Sequence, residues 1–265
     1  MNQGFTSRAA LVTGASSGIG REFAELLARD RNDLVMVSRS AAKLEEVGRE
    51  LRGRYKVAVE VFPADLADAR TPQQIMSHLT NRGILVHTLV NSAGAGRLGE
   101  FMKSDPHDNG RMIQLNVTAV TMLSQLFGQT MVKHGGGKIL NVASTAAFQA
   151  GPLMAVYYAS KAYVLSFSEA LAAELRGSGV TVTVLCPGPT RSGFQAAAGL
   201  HHPSDRAPSM SSADVAAIGY QGMLRGQRLV IPGLGNKALV QATRLIPRKL
   251  ASSVVHRVQR SRMKD

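Results

Sequence analysis

Tyr157 and Lys161 stand four residues apart in the stretch STAAFQAGPLMAVYYASK, and Ser144 precedes Tyr157 by thirteen residues. Four residues make about one helical turn, so on a helix the phenol and the ammonium share a face. That pairing suits proton transfer, because a positive charge stabilises a phenolate. A free phenol titrates near 10, so acid–base work near neutrality means lowering it by roughly 2–3 units, or about 3–4 kcal/mol. One cation within about 4–6 Å supplies roughly 1–3 units. Lys161 therefore needs help from hydrogen bonds to the phenolate or from a further positive charge. Taken alone, Tyr-x-x-x-Lys also occurs on helices where the Tyr packs and the Lys is solvated, so the rest of the chain has to decide.

The elements that must position these groups are legible in order. Residues 9–13 (AALVT) read as a strand, GASSGIG as a turn, and REFAELLARD as a helix whose Phe23, Leu26 and Leu27 mark one face. Strand, glycine turn and helix in that order place backbone N–H groups and a helix N-terminus where a pyrophosphate could sit. Gly14, Gly18 and Gly20 follow G-x3-G-x-G rather than G-x-G-x-x-G, so an ordinary tight turn remains the alternative here. The next strand, 33–37, ends at Ser38-Arg39. An acidic residue at that place would bind the ribose 2′-hydroxyl of NAD, whereas Arg39 can pair with a 2′-phosphate. A charge-assisted hydrogen bond is worth about 1.5–3 kcal/mol, which favours NADP(H) over NAD(H) unless Arg39 is merely solvated.

Helical sequence at 41–52, a strand at 56–62, Asp65-Leu66, a helix within 71–82 and a strand at 84–90 follow, then NSAGAG at 91–96. A helix over 109–133 carries Asn116 in an otherwise apolar run, so that amide must satisfy a local backbone break or hold a water chain. A strand at 137–142 delivers Ser144, a helix at 155–176 carries Tyr157 and Lys161, and a strand at 180–185 ends at Cys-Pro-Gly-Pro-Thr. This alternation predicts an α/β fold with a parallel, doubly wound sheet, whose ligands lie at the carboxyl ends of the strands. The singled-out residues all fall at that edge.

Bulk properties narrow the class further. With 265 residues and 45% hydrophobic content the chain can bury one large core. A single cysteine, Cys186, excludes an internal disulfide and a multi-Cys metal site, which fits a reducing, cytoplasmic setting; no metal is implied. Residues 1–8 carry no apolar run and hence no signal peptide. The uncharged stretches 112–132 and 139–160 are long enough to suggest membrane spans, but Gln114, Asn116, Gln125, Asn141 and Gly151-Pro152 within them read as a soluble interior. Of the formal charge of +13, seven come from residues 237–265.

These residues together resemble the short-chain dehydrogenase/reductase family in its simple form of roughly 250 residues, over positions 8 to about 232. Thr13-Gly14-Ala15-Ser16-Ser17-Gly18-Ile19-Gly20 is similar to its cofactor loop, and Asn91-Ser92-Ala93-Gly94 to its N-N-A-G element with Ser in place of the second Asn. Asn116, Ser144, Tyr157 and Lys161 match its catalytic tetrad, and Pro187-Gly188 its P-G element. The resemblance implies a single Rossmann-like domain over 1–236, an oxidoreductase, and a homodimer or homotetramer. It implies that Tyr157 exchanges the proton of a hydroxyl/carbonyl pair while Ser144 hydrogen-bonds the same oxygen. Lys161 would hold the nicotinamide ribose and lower the Tyr157 pKa, and Asn116 would anchor a water relay. Cofactor contacts are implied at the glycine loop, Ser38 and Arg39, at Asp65 and Leu66 beside adenine, at Asn91, Ala93 and Gly94 along the ribose, and at Pro187, Gly188 and Thr190 on the nicotinamide.

Other residues invite competing roles. Tyr158 and Tyr163 read as packing groups, Cys186 as a small buried side chain, and His107, His134 and His201-His202 as surface residues without partners at ligand spacing. A lid is expected over about 190–212, ending where Ser211 and Asp214 form a capping box. Phe148, Leu153, Met154, Phe194, Leu200 and Met210 would make an apolar pocket for the carbonyl or alcohol substrate. In the extension 237–265, Leu250, Val254 and Val258 recur every four residues with Arg257, Arg260 and Lys264 off that line. Such a basic amphipathic helix could lie peripherally on an anionic membrane, cover an acidic carrier protein, or pack on the body or a second subunit. Nucleic acid is not expected, since the tail has no aromatic residue for stacking.

Overall fold

The computed structural model describes residues 8–199 and 209–263. In chain order the elements are β1 (Arg8–Thr13), α1 (Gly18–Arg29), β2 (Asp33–Ser38), α2 (Ala41–Tyr55), β3 (Val59–Pro63), α3 (Thr71–Asn81), β4 (Leu85–Asn91), α4 (Pro106–Ile113), α5 (Ala119–Lys133), β5 (Gly137–Val142), α6 (Ala155–Glu174) and β6 (Val180–Leu185). The two-residue β7 (Thr190–Arg191), α7 (Gly193–Ala197), β8 (Met210–Ser211), α8 (Ser212–Leu224), β9 (Leu229–Val230), α9 (Leu234–Leu245) and α10 (Arg248–Ser261) complete the chain.

The main sheet has seven strands, all parallel, in the order β3-β2-β1-β4-β5-β6-β9. Inner strands such as β2 and β6 are buried along nearly their whole length because both faces are covered. Along β1, Ala10 and Val12 enter the core under α1, α2 and α8, while Ala9 and Leu11 enter the opposite core under α3 and α5. Neighbouring β2 alternates in the same way, with Leu34 and Met36 on the first side and Val35 and Val37 on the second. The expected Rossmann-like, doubly wound sheet with helices on both faces is the observed fold.

Strand order reverses between β1 and β4, which opens a crevice at their carboxyl ends. Thr13 spans it: its hydroxyl accepts the N–H groups of Ser92 (3.0 Å) and Ala93 (3.1 Å). Gly14 sits just beyond with φ +68°, and a Cβ there would approach the Ala93 nitrogen to 3.0 Å. Gly20 lies so close to the turn that a Cβ would come within 2.4 Å of the Gly14 carbonyl oxygen. Both positions need glycine, and the second lets α1 start directly against the turn.

The helix expected over 109–133 begins earlier, at Pro106, with Asp105 as its cap, and is interrupted by a π-helical turn over Gln114–Thr118. The extra residue in that turn points Asn116 inward, where it is 0% exposed. Of the lid, residues 200–208, with Leu200 and His201-His202, lie outside the described residues. The expected Ser211 cap forms: its hydroxyl accepts the Asp214 N–H at 3.0 Å and donates to the Asp214 carboxylate at 2.6 Å. The expected domain limit at 236 falls inside α9, whose Val240 is buried in a core shared with Val164 and Leu165 of α6, Val184 of β6 and Val120 of α5.

A polar ladder crosses the interior beneath the crevice. The Asn91 amide donates to the Asn141 oxygen (2.9 Å) and to Ser124 (3.2 Å), and the Asn141 amide donates to Ser168 (2.9 Å). Asn141→Ala strands those partners in a site sealed from water, so urea unfolding should show a loss of about 1–3 kcal/mol. An unchanged midpoint would mean that the ladder does not stabilise the sheet.

Candidate active site

The catalytic candidates are delivered by elements that meet at the crevice. β5 runs into Ser144, whose extended backbone and hydroxyl start a short 3-10 turn over Thr145–Phe148; the hydroxyl accepts the Ala146 N–H at 3.1 Å. Tyr157 and Lys161 occupy the first turns of α6. The Lys161 ammonium donates to the Val142 carbonyl (2.9 Å) and stands 5.8 Å from the centre of the Tyr157 ring.

Burial dominates the electrostatics of this pair. It pushes the Tyr157 phenol up to about 12, against the lowering influence of the Ser144 hydroxyl. It also drives Lys161 down to about 8, against the Cys186 thiol, which favours the charged ammonium. In the protein alone burial, not Lys161, sets the direction of the phenol's shift, and the opposing influence comes from Ser144.

Asn116 is engaged with protein on every side: its oxygen accepts the Ala95 N–H (2.9 Å), and its amide donates to the Ala95 carbonyl (2.8 Å) and to Ser160 (3.0 Å). Its side chain thereby clamps the strand-end loop after β4. Gly94, in that loop, lies where a Cβ would meet Lys161 Nζ at 3.3 Å and Asn116 Oδ1 at 3.4 Å.

A single cleft of about 960 Å³ runs from the glycine turn to Tyr157. Its walls include Gly14, Ser16, Ser17, Gly18, Ile19, Gly20, Ser38, Arg39, Asp65, Leu66, Ala93, Gly94, Ser144, Tyr157, Lys161, Pro187, Gly188 and Thr190. Asn91 is the correction among the expected contacts: it is 2% exposed, turned into the interior ladder, and absent from the cleft wall. Asp65 is held from two sides. Burial alone would raise its pKa, but the Ala67 N–H and the Arg111 guanidinium outweigh that and lower it.

A nicotinamide dinucleotide fits these walls. Ser17 precedes α1 without capping it through its side chain, which leaves the helix N–H groups toward the cleft for a pyrophosphate. The Ser38 hydroxyl is buried beside Arg39 with no hydrogen-bond partner, which suits a further acceptor at the adenosine ribose. The glycine cradle would be filled by any side chain.

At the other end, Phe194 of α7 stands 5.4 Å from the Tyr157 ring, and a Cβ on Gly96 would strike Phe194 at 2.7 Å. Of the expected apolar pocket, Met154 and Phe194 line the cleft, and Leu153 lines a smaller hollow behind Tyr157. Phe148 and Met210 instead pack on core clusters. One further wall lies outside the expected cleft residues. Tyr158, Gln259 and Arg262 border the cleft, with the Gln259 amide donating to the Tyr158 hydroxyl at 2.9 Å. Tyr158 thus anchors α10.

Tyr163 stacks on Phe167, and burial pushes the Cys186 thiol up to about 12, which makes it inert. His107, expected to lack partners, has Asp105 and Asp108 within 4.8 Å of its ligand atom. Both carboxylates are already engaged, Asp105 as the α4 cap and Asp108 with Arg97.

The short chain dehydrogenase family model matches residues 8–202. The chain belongs to that family, and it spans less than two thirds of the length of the curated relatives it matches. A probable oxidoreductase, EphD, of Mycobacterium tuberculosis is 33% identical over 193 residues, covering 72% of this chain and 32% of that protein. The very-long-chain 3-oxoacyl-CoA reductase-B of Danio rerio is 35% identical over 182 residues, 67% of this chain and 58% of that protein. A short-chain dehydrogenase from Sphingobium yanoikuyae in complex with NADPH superposes with a TM-score of 0.81 at 33% identity, covering 89% of this chain and 91% of that one.

The Lys161 pKa carries a stability signature. Between pH about 8 and 10.5 the unfolded chain keeps a proton that folded Lys161 has lost, so its contribution to stability rises with pH across that window. Relative to Lys161→Met, cofactor-free protein should gain up to about 3 kcal/mol between those limits in urea titrations. A flat difference would mean that Lys161 keeps its charge.

Proposed function

We propose that the protein is an NADP(H)-dependent oxidoreductase that interconverts a carbonyl and a secondary alcohol on an apolar substrate, with Tyr157 as general acid and base. The observation that carries this is the convergence of Ser144, Tyr157 and Lys161 with the glycine turn and Arg39 along one cleft. A bound nicotinamide dinucleotide supplies hydride exchange and, when oxidised, a positive ring charge. Tyr157 gives its phenolic proton to the carbonyl oxygen in reduction and takes it back in oxidation. Ser144 donates a hydrogen bond to the same oxygen. Lys161 holds the ribose and stabilises the phenolate, and Asn116 positions the loop through Ala95.

Burial holds the Tyr157 phenol protonated in the cofactor-free protein. Arg39 and Ser38 take the 2′-phosphate. Phe194, Met154 and Gly96 leave a flat, apolar slot against Tyr157 for the substrate.

A second substrate class, a 3-oxoacyl thioester, is favoured by Arg262 at the cleft rim and by the name of the Danio rerio relative. For assembly, a homodimer or homotetramer fits the exposed apolar Ile113, Val132 and Tyr163.

NADPH absorbance followed across ketones, aldehydes and 3-oxoacyl thioesters identifies the substrate class. Tyr157→Phe should lower kcat by about 10²–10⁴ while NADPH still binds; full turnover in that variant would refute the acid–base role. Arg39→Ala should weaken NADPH binding roughly 10- to 150-fold and leave NADH binding nearly unchanged. Equal losses for both cofactors would remove the 2′-phosphate contact.

A further inference from the structure

The C-terminal helices present an apolar stripe that their own packing does not use. Leu250, Val254 and Val258, the residues whose spacing marked α10 as amphipathic, are 56%, 56% and 46% exposed. The seam against the body is made one position further on, by Val255 and Gln259, at 8% and 3%. At about 100° per residue the exposed stripe covers about 80° of the helix, directly beside that seam. Arg257, Arg260 and Lys249 follow on its other side, all exposed. Leu245, at the end of α9, extends the apolar surface at 87% exposure.

Charge along this part of the chain has one sign. From 215 to 264 the chain holds ten Lys/Arg and no Asp or Glu. Lys237, Arg248, Lys249, Arg257 and Arg260 are all exposed on α9 and α10. Among the described residues no helix is long and apolar enough to cross a membrane.

We propose that α9 and α10 form a docking face for an anionic lipid surface, lying in the interface without spanning it. Leucine and valine side chains standing out from a convex helix, flanked by arginines, match a fluid apolar medium beneath anionic headgroups. The side of α10 next to the stripe supplies Gln259 and Arg262 to the cleft, so docking brings the cleft rim to the lipid boundary. Apolar substrate can then pass from lipid to Tyr157 with little exposure to water. The docking itself holds whether or not the substrate assignment does.

Sedimentation of the full chain with vesicles of phosphatidylcholine, alone or mixed with phosphatidylglycerol, tests this. The protein should sediment with the mixed vesicles at low salt, at least about tenfold better than with phosphatidylcholine alone, and be released at about 0.5 M salt. Leu250→Asp/Val254→Asp should lower binding to the mixed vesicles at least about tenfold while keeping the wild-type unfolding midpoint and NADPH affinity. Lys249→Glu/Arg257→Glu, which leaves the apolar stripe intact, should do the same. Wild-type binding that ignores phosphatidylglycerol, or unchanged binding in both variants, overturns the proposal. So does a variant that turns an oligomer into a monomer with vesicle binding intact, which would make the face a contact between copies. Binding to an acidic acyl-carrier protein with none to vesicles would likewise give the face to a protein partner.

Discussion

The site depends on one expensive arrangement: a buried ammonium and, one helical turn away, a phenol half-buried in the cleft wall. Lys161 is 6% exposed and keeps one protein acceptor in view, the Val142 carbonyl at the end of β5. That contact fixes the ammonium between the strand end and Gly94, and the start of α6 must then hold Tyr157 beside it. The sheet edge, the glycine loop and the π turn at Gln114–Thr118 all meet around this pair. Close backbone approach at Gly14, Gly20 and Gly94 leaves the remaining space to a ligand.

Burial also explains why neither group has its working pKa in the protein alone. Low dielectric disfavours both charged forms, so the phenol moves up and the ammonium moves down. On the proposed function this is an incomplete site, waiting for the charge that a bound nucleotide adds. A cation close to both groups would be felt strongly, because the same exclusion of water that raises the phenol also strengthens Coulomb attraction.

Most of the sheet was legible in the sequence because its inner strands are buried on both faces and read as short apolar runs bounded by turn residues. β5 and β6 occur at the expected positions for that reason. The cleft residues were legible where their spacing reflects backbone geometry, as in the glycine turn and the Tyr157–Lys161 turn. Side-chain direction was not. Asn91 has the right position but faces the ladder, since β4 alternates and puts it inward. Asn116 gave its burial away by its apolar setting, but the π turn that accommodates it has no local signature. The seam of α10 escaped because Tyr158 and Gln259 are a hundred and one residues apart, and the more obvious apolar repeat faces outward. The family match, too, ends at residue 202, before α9 and α10 begin.

The direct test is the titration of the Tyr157 phenol itself, by NMR of protein carrying ring-labelled tyrosine, assigned by comparison with Tyr157→Phe. In cofactor-free protein the Tyr157 signal should stay protonated through pH 10 and titrate near about 12. Saturation with NADP⁺ should bring its midpoint down by several units. A phenol that titrates near 10 without cofactor, or one that does not move when NADP⁺ binds, would contradict the account.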